Sequence, residues 1–469
     1  MGTEKISKFD QVSPTDFRYG IKELAPYFSE ESFVKYKSRV EAALAFTLAK
    51  KGIISQNAAT KISDASKKVT AEEVYEEEEK TGHDIIALVN RIKMNLDDEE
   101  AKAAVHRAAT TYDIIDSANA LRFKDAFYNV IIPDMIAFES ALIGIAKKEK
   151  DTLQIGRTHL QHAEPVTFGY AIAFFVSRFG GRILAVKNAV DSLRGKFSGA
   201  VGTYSAASLF VDDPIEFEKE VLGSLGLKPT EISTQITQPE PMADLAHTVI
   251  SSFAVLANWA YDMYNLERPE IAEVGQPRGK DVSRSSTMPN KANPVGLENI
   301  ISLYKKTVPE MLTFYFDEIS FHQRDLTNSA SQRYIPDLFT RFDHSIRRAT
   351  RIATSLTPHA GNMLRNFNMS SGYITAEPLQ LLLSSYGYPN AHELIGKIAD
   401  KAVATGKSIL EVVSEDKELR NYLERFTQRQ RDLISDPSKY IGVAPQKTES
   451  IAYSWEKEMK KLESALHSK

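Results

Sequence analysis

Between Arg284 and Pro294 the chain reads RSSTMPNKANP, which places the hydroxyls of Ser285 and Ser286, the ammonium of Lys291 and the carboxamide of Asn293 on one short segment. A polar run carrying Gly275, Pro277 and Gly279 precedes it, and a helical pattern starts at Val295. A loop feeding a rigid element, with a cation and hydrogen-bonding groups at its tip, suits closure over an anionic ligand. Asn293 as N-cap and Pro294 at the first helical position account for two of these residues. They leave Ser285, Ser286 and Lys291 unexplained.

Four other stretches carry groups of matching chemistry. GRTHLQHAEPVTFG (Gly156–Gly169) offers Thr158 and His159 ahead of a long helix read from Val166. His159 and His162 lie three apart, but Pro165 breaks helical geometry and no HExxH pattern occurs, so a metal site is not expected. His83 and Asp84 stand at a helix start, where Asp84 could serve simply as the cap. Thr110 and Thr111 precede the long helical run read from Asp113, a place for capping or for binding a carboxylate or phosphate. In HQRDLTNSASQR, Arg324, Ser329 and Arg333 could share a helical face and grip a phosphate, the bland alternative being a surface ion-pair cluster.

Other classes of chemistry fall away. The sequence has no cysteine, which removes disulfides, thiolate nucleophiles and cysteine metal sites. Neither a G-x-S-x-G elbow nor a Walker A motif occurs, so a serine hydrolase and a P-loop enzyme are disfavoured. Acid–base chemistry on an anionic substrate is left, with cations binding and Ser/His moving protons.

The elements that must position these groups read as helices. Glu30 and Glu31 follow a plausible N-cap at Ser29, apolar residues recur from Phe33 to Leu48, and Gly52 ends the run. A second helix is expected over about 55–68. Longer periodic runs cover 113–150 with a kink at Pro133, 166–193, 239–266, 295–319 and 337–356. No strand pattern of similar strength appears. Beyond Leu364 the helices shorten, with a break at Gly387-Tyr388-Pro389 and a charged, exposed end over 456–469. The expected fold class is all-α, with domains at 1–111, 112–363 and 364–469 and a long-helix bundle in the middle one.

Bulk composition agrees with a globular chain of 469 residues: 42% hydrophobic, 26% charged, net charge −4. Nothing points to nucleic acid, a membrane span or a secretory signal. Gly2 invites a myristoylation reading, but Ile6 stands where that motif needs Ser or Thr.

The motifs taken together resemble those of the fumarase/aspartase superfamily. SSTMPNKANP is similar to its S-S-x-M-P-x-K-x-N-P loop, and GRTHLQHAEPVTFG and GKFSGAVGTYSA to two further blocks. SPTDFRYG, TGHDIIALV, HRAATTYDIID, EISTQITQPEPMADLAH and HQRDLTNSASQR resemble segments of the superfamily's purine-nucleotide branch. The resemblance implies a homotetramer with a central helix bundle and active sites shared between subunits, acting on a small-molecule nucleotide; no cofactor or metal is expected, and the lack of cysteine fits a cytoplasmic protein. The implied reaction is β-elimination of fumarate from a succinylated purine nucleotide and from the succinyl-carboxamide ribotide.

Residue roles come from the same resemblance. Ser285 would be the general base, with Ser286 supporting it and Lys291 and Asn293 holding a carboxylate. His159 would protonate the leaving nitrogen, supported by His83, with Glu298 near the histidine. Thr110, Thr111 and Gln235 would contact the succinyl part. Arg18, Tyr19, Arg324, Ser329 and Arg333 would contact the nucleotide, and Asp84 and Thr158 complete the substrate-binding set. The chain departs from the pattern at Arg284 and Ala108 (each for glycine), Thr111 (for serine), Gly82 (for arginine), Asn290 and Ala292. Other fumarate-releasing lyases, such as argininosuccinate lyase or fumarase, and a catalytically silent structural relative are the alternatives.

Overall fold

The computed structural model describes residues 13–467, so the Gly2 reading lies outside the described residues. It is 69% helical, and its described strands form three two-stranded ribbons. The all-α expectation holds. The first long helix, Glu30–Lys50, starts where Ser29 Oγ accepts the Ser32 N–H at 3.2 Å and stops before Gly52, at φ +72°. The next, Gln56–Lys68, is capped in the same way by Ser55.

The chain forms two compact units, each made of three separate segments. The first comprises the described chain through Ile136 with Gly181–Ala254 and Ser302–Arg347. Its core sets Phe123 and Phe127 edge-on to Phe339, with centroids 5.5 and 4.8 Å apart, and packs Phe253 on Phe342. The second comprises Ala137–Gly180, Val255–Ile301 and the chain from Arg348 onward. There Phe138 stands edge-on to Phe179 and to Trp259, joining the helices Ile132–Lys148, Phe168–Ser192 and Glu240–Leu266.

Two helical stretches, Thr111–Lys148 and Phe168–Ser192, are long and apolar enough to cross a membrane, but about half of each is buried in the fold. They serve as core helices.

Several sequence expectations need correction. The kink expected at Pro133 is a π-helical turn over Phe127–Ile131, which absorbs a register shift just before the residue that lacks an N–H. The run read as 295–319 breaks at Val308–Glu310 into two helices, because Pro309 cannot donate to the ladder. The helix read from Val166 starts at Phe168, since Gln161–Thr167 is a strand. The break at 387–389 is as expected, between Ala376–Ser385 and Ala391–Thr405. The chain end is not merely a charged, exposed tail. It belongs to a 24-residue helix, Ala444–His467, which buries Ala452, Met459 and Leu462. Trp455 of this helix lies so close over Gly180 that a Cβ there would collide with the indole.

Candidate active site

In the first unit, a cleft of about 710 Å³ gathers His83, Asp84, Thr111, Ser329 and Arg333 along its lining. His83 stands at the N-cap of the helix Asp84–Met94: its Nδ1 accepts the N–H of Ile85 at 3.2 Å and of Ile86 at 3.4 Å, and Asp84 Oδ1 also accepts the Ile85 N–H, at 2.8 Å. An accepting Nδ1 puts the proton of the neutral ring on Nε2, which stands 3.4 Å from Thr111 Oγ1. Asp84 is held by Lys37, 3.3 Å away. Thr110 precedes the helix Thr111–Ala126, and its N–H is taken by Asp113 Oδ2 at 2.8 Å, so capping accounts for it.

Asp113, which follows Thr110 and Thr111 in the same polar stretch, organises this edge. It forms a fully buried ion pair with Lys196 and also accepts the Gly199 N–H at 3.3 Å. That fastens the segment after Gly195 to the helix start. Ser198 and Ser233 share a hydrogen bond at 2.6 Å, and the Gln235 N–H donates to Gln323 O at 3.3 Å. Gln235 and the His322–Arg333 stretch are thereby linked.

This stretch is not the helix face that the four-residue spacing suggested. Arg324 has φ +122°, Ser329 N–H closes a turn on Leu326 O, and only Ser331–Tyr334 is a short 3-10 helix. The three guanidinium nitrogens of Arg324 are buried and meet no hydrogen-bond partner among the described residues. Near the start of the described chain, Arg18 is exposed and Tyr19 lies edge-on to His344, with centroids 5.3 Å apart.

In the second unit, Thr158 and His159 belong to an antiparallel hairpin, Leu153–Thr158 with Gln161–Thr167. Thr158 pairs with Gln161, leaving His159 and Leu160 as a two-residue turn at φ +50° and +62°. Turns with two positive φ values favour Asn-Gly, so a histidine and a leucine here carry backbone strain. His159 is exposed at the tip, and Leu160 is 77% exposed. Beneath the tip, buried Glu273 receives Arg157 Nη2 at 2.6 Å, Gln154 at 2.7 Å and Asn366 at 2.9 Å. His162 bonds to Ser370 Oγ at 2.8 Å, and burial together with Arg157 pushes its pKa down. Among the described residues no cluster of His, Cys, Asp and Glu could hold a metal ion.

The second unit also holds the loop. Ser283 pairs with Asn293 and Arg284 with Ala292, and Ser285 N–H closes the neck on Lys291 O at 3.2 Å. Asn293 therefore sits in a ribbon rather than at a helix cap. The cap is Pro294, whose carbonyl accepts the Glu298 N–H at 3.3 Å. Arg284 is extended and exposed there, a conformation that does not require the glycine of the pattern. Ser285 Oγ accepts the N–H groups of Thr287 at 3.3 Å and Met288 at 3.1 Å. Two aligned donors stabilise negative charge on that oxygen, as a base needs. Ser286 and Lys291 are exposed, and Glu298 accepts from Tyr264 at 3.2 Å.

Comparison with known proteins gives the family. Residues 12–308 match a family described as lyase, and residues 320–441 match the adenylosuccinate lyase C-terminal family. An adenylosuccinate lyase from Pyrococcus abyssi is 36% identical over 446 residues, covering 94% of this chain and 97% of that protein. One from Aquifex aeolicus is 32% identical, covering 90% and 96%. A fumarate lyase from Mesorhizobium sp. BNC1 superposes with a TM-score of 0.81 at 25% identity, covering 92% of this chain and 98% of that one. A Pseudomonas putida 3-carboxy-cis,cis-muconate lactonizing enzyme, at 24% identity, shares the fold with a TM-score of 0.82. The chain belongs to the lyase family and, within it, to the adenylosuccinate lyases.

Proposed function

We propose that the chain releases fumarate from adenylosuccinate to leave AMP, and from the succinyl-carboxamide ribotide in the same manner, as an enzyme of cytoplasmic purine biosynthesis. The observation that carries the chemistry is Ser285, whose Oγ takes two backbone N–H groups at the neck of a loop that also presents Lys291.

Ser285 accepts the Cβ proton of the succinyl group. The electron pair of that C–H bond becomes the new double bond, and the C–N pair departs with the purine nitrogen. His159 protonates this nitrogen, with His83 in support. Charge grows on the carboxylate beside Cβ during proton removal, and Lys291, Asn293 and nearby N–H groups of the loop stabilise it. A serine works as a base only where closure excludes water and fixed donors hold its anion. Thr110, Thr111 and Gln235 orient the succinyl portion, and Asp84 and Thr158 complete the substrate-binding set. Arg18, Tyr19, Arg324, Ser329 and Arg333 hold the nucleotide, and the unpartnered guanidinium of Arg324 favours an anionic group there. Ser286 and Glu298 support the loop and the acid. The working assembly is a homotetramer with shared active sites, and the domains divide at 111/112 and 363/364.

Purified protein incubated separately with adenylosuccinate, argininosuccinate and malate tests this reading by fumarate absorbance. Fumarate is expected from adenylosuccinate alone; its absence there would sink the proposal.

A further inference from the structure

The chain entering the loop carries an ionic fastening that none of the roles above uses. The Asp281 carboxylate receives Nε and Nη2 of Arg351 at 3.2 and 3.1 Å, and Arg348 Nε stands 3.3 Å from the same group. Its backbone carbonyl accepts the Gly296 N–H at 2.9 Å. One residue thus ties the loop's entry both to its exit, at the start of the Val295–Thr307 helix, and to the Ile335–Ser355 helix. The crossing is tight: a Cβ on Gly296 would lie 2.7 Å from Asp281 Cβ and 2.9 Å from Ile352 Cδ1. Upstream, Val274–Gly275 is pinned by pairing with Thr357–Pro358. Both pins use the last turns of the same helix or the chain just after it.

We propose that Asp281 is a positioning residue, fixing the base of the loop so that movement is confined to the ribbon 283–293 and its tip. The side chain is only 12% exposed and faces two guanidinium groups, so its charge is the strong part of the fastening. Without it, the entry strand swings with the tip, and Ser285 arrives from a spread of directions. Small misplacements of a reacting group cost rate more than affinity. The kinetic half of this inference rests on Ser285 being the base; the mechanical half does not.

The test compares Asp281→Asn and Asp281→Glu in the full-length protein by two readouts. One is tryptic cleavage of the native chain at Arg278, Lys280, Arg284 and Lys291, all exposed. The other is kcat and KM measured separately on adenylosuccinate. Asp281→Asn is expected to speed loop cleavage about tenfold and lower kcat about tenfold, with KM moving less than about threefold. Asp281→Glu, which keeps the charge, is expected to restore part of both. Arg351→Gln, a second variant should the first fail to fold, is expected to shift both in the same direction. Wild-type cleavage and kcat in a folded Asp281→Asn protein would overturn the proposal. A Ser285→Ala protein that kept its turnover would remove the base assignment, and faster loop cleavage in Asp281→Asn would still support the fastening.

Discussion

Arg324 and Glu139 both bury polar atoms without a hydrogen-bond partner among the described residues, yet they resolve that cost in opposite ways. A guanidinium keeps its charge, and although Asp116, Asp317 and Asp325 lie close enough to act on Arg324 electrostatically, its N–H groups still lack acceptors among the described residues, which an anionic group in the proposed nucleotide site would supply. A carboxyl can become neutral. Burial alone pushes the Glu139 pKa well above its usual value of 4.5. The sign of the stability effect follows. Below about pH 4.5 the group is protonated in both folded and unfolded chains, and its burial penalty is smallest. As pH rises toward the folded-state pKa, the unfolded chain releases the proton and the folded chain does not, so stability falls by about 1.4 kcal/mol per pH unit. Glu139→Gln cannot ionise. It is expected to match the parent near pH 4 and to melt several degrees higher at pH 7, as a rough guide. Melting curves across that range check this, and a constant difference between the two proteins would refute it.

At the scale of elements, the sequence was most legible where local rules decide the outcome. Ser29 before Glu30-Glu31, and Gly52 after the last periodic residue, bound a helix in the sequence as they do in the structure. The hairpin 153–167 was illegible because its support is not local. Pro165 marked a break from helix, but nothing nearby signalled that Glu273, more than a hundred residues later, would draw Arg157, Gln154 and Asn366 together. Nor did Asn293-Pro294 announce that pairing with Ser283 would move the helix cap to Pro294. Ser285, Lys291, His159, His83, Arg324 and Arg333 were visible as chemistry, and Gln235 and Glu298 only through the resemblance, while the buried Asp113–Lys196 and Arg157–Glu273 pairs that hold their elements were not singled out as pairs. Removing one partner of such a pair strands the other charge. Glu273→Gln is therefore expected to cost about 3 kcal/mol of stability and to lower kcat by loosening the strand beneath His159. Chemical unfolding alongside kinetics measures both; an unchanged midpoint and rate would mean that the network carries neither load.

The chain as a whole leaves large apolar side chains in water: Leu312, Phe316, Ile319 and Phe321 are 60–81% exposed within ten residues of sequence, on and just after the short helix Met311–Asp317, and Phe174 is 58% exposed on the long helix Phe168–Ser192. Such exposure on a folded chain marks surfaces that bury against something, and copies of the same chain, as proposed, would cover them. Closed symmetry then lets one copy's loop serve a site whose histidine belongs to another. This gives a test that needs no structure of the assembly. Ser285→Ala and His159→Ala, each alone, are expected to retain below about 1% of turnover, since each removes a group proposed above to transfer a proton. When equal amounts are unfolded and refolded together, or coexpressed, subunits mix. If base and acid come from different subunits, a site is intact when both of its donors happen to be unmutated at the relevant position, which random mixing makes about one site in four. Turnover near a quarter of the parent's is therefore expected from two nearly inactive proteins. If both groups came from one subunit, no mixed site could be whole, and activity would stay at the sum of the separate residues' remnants.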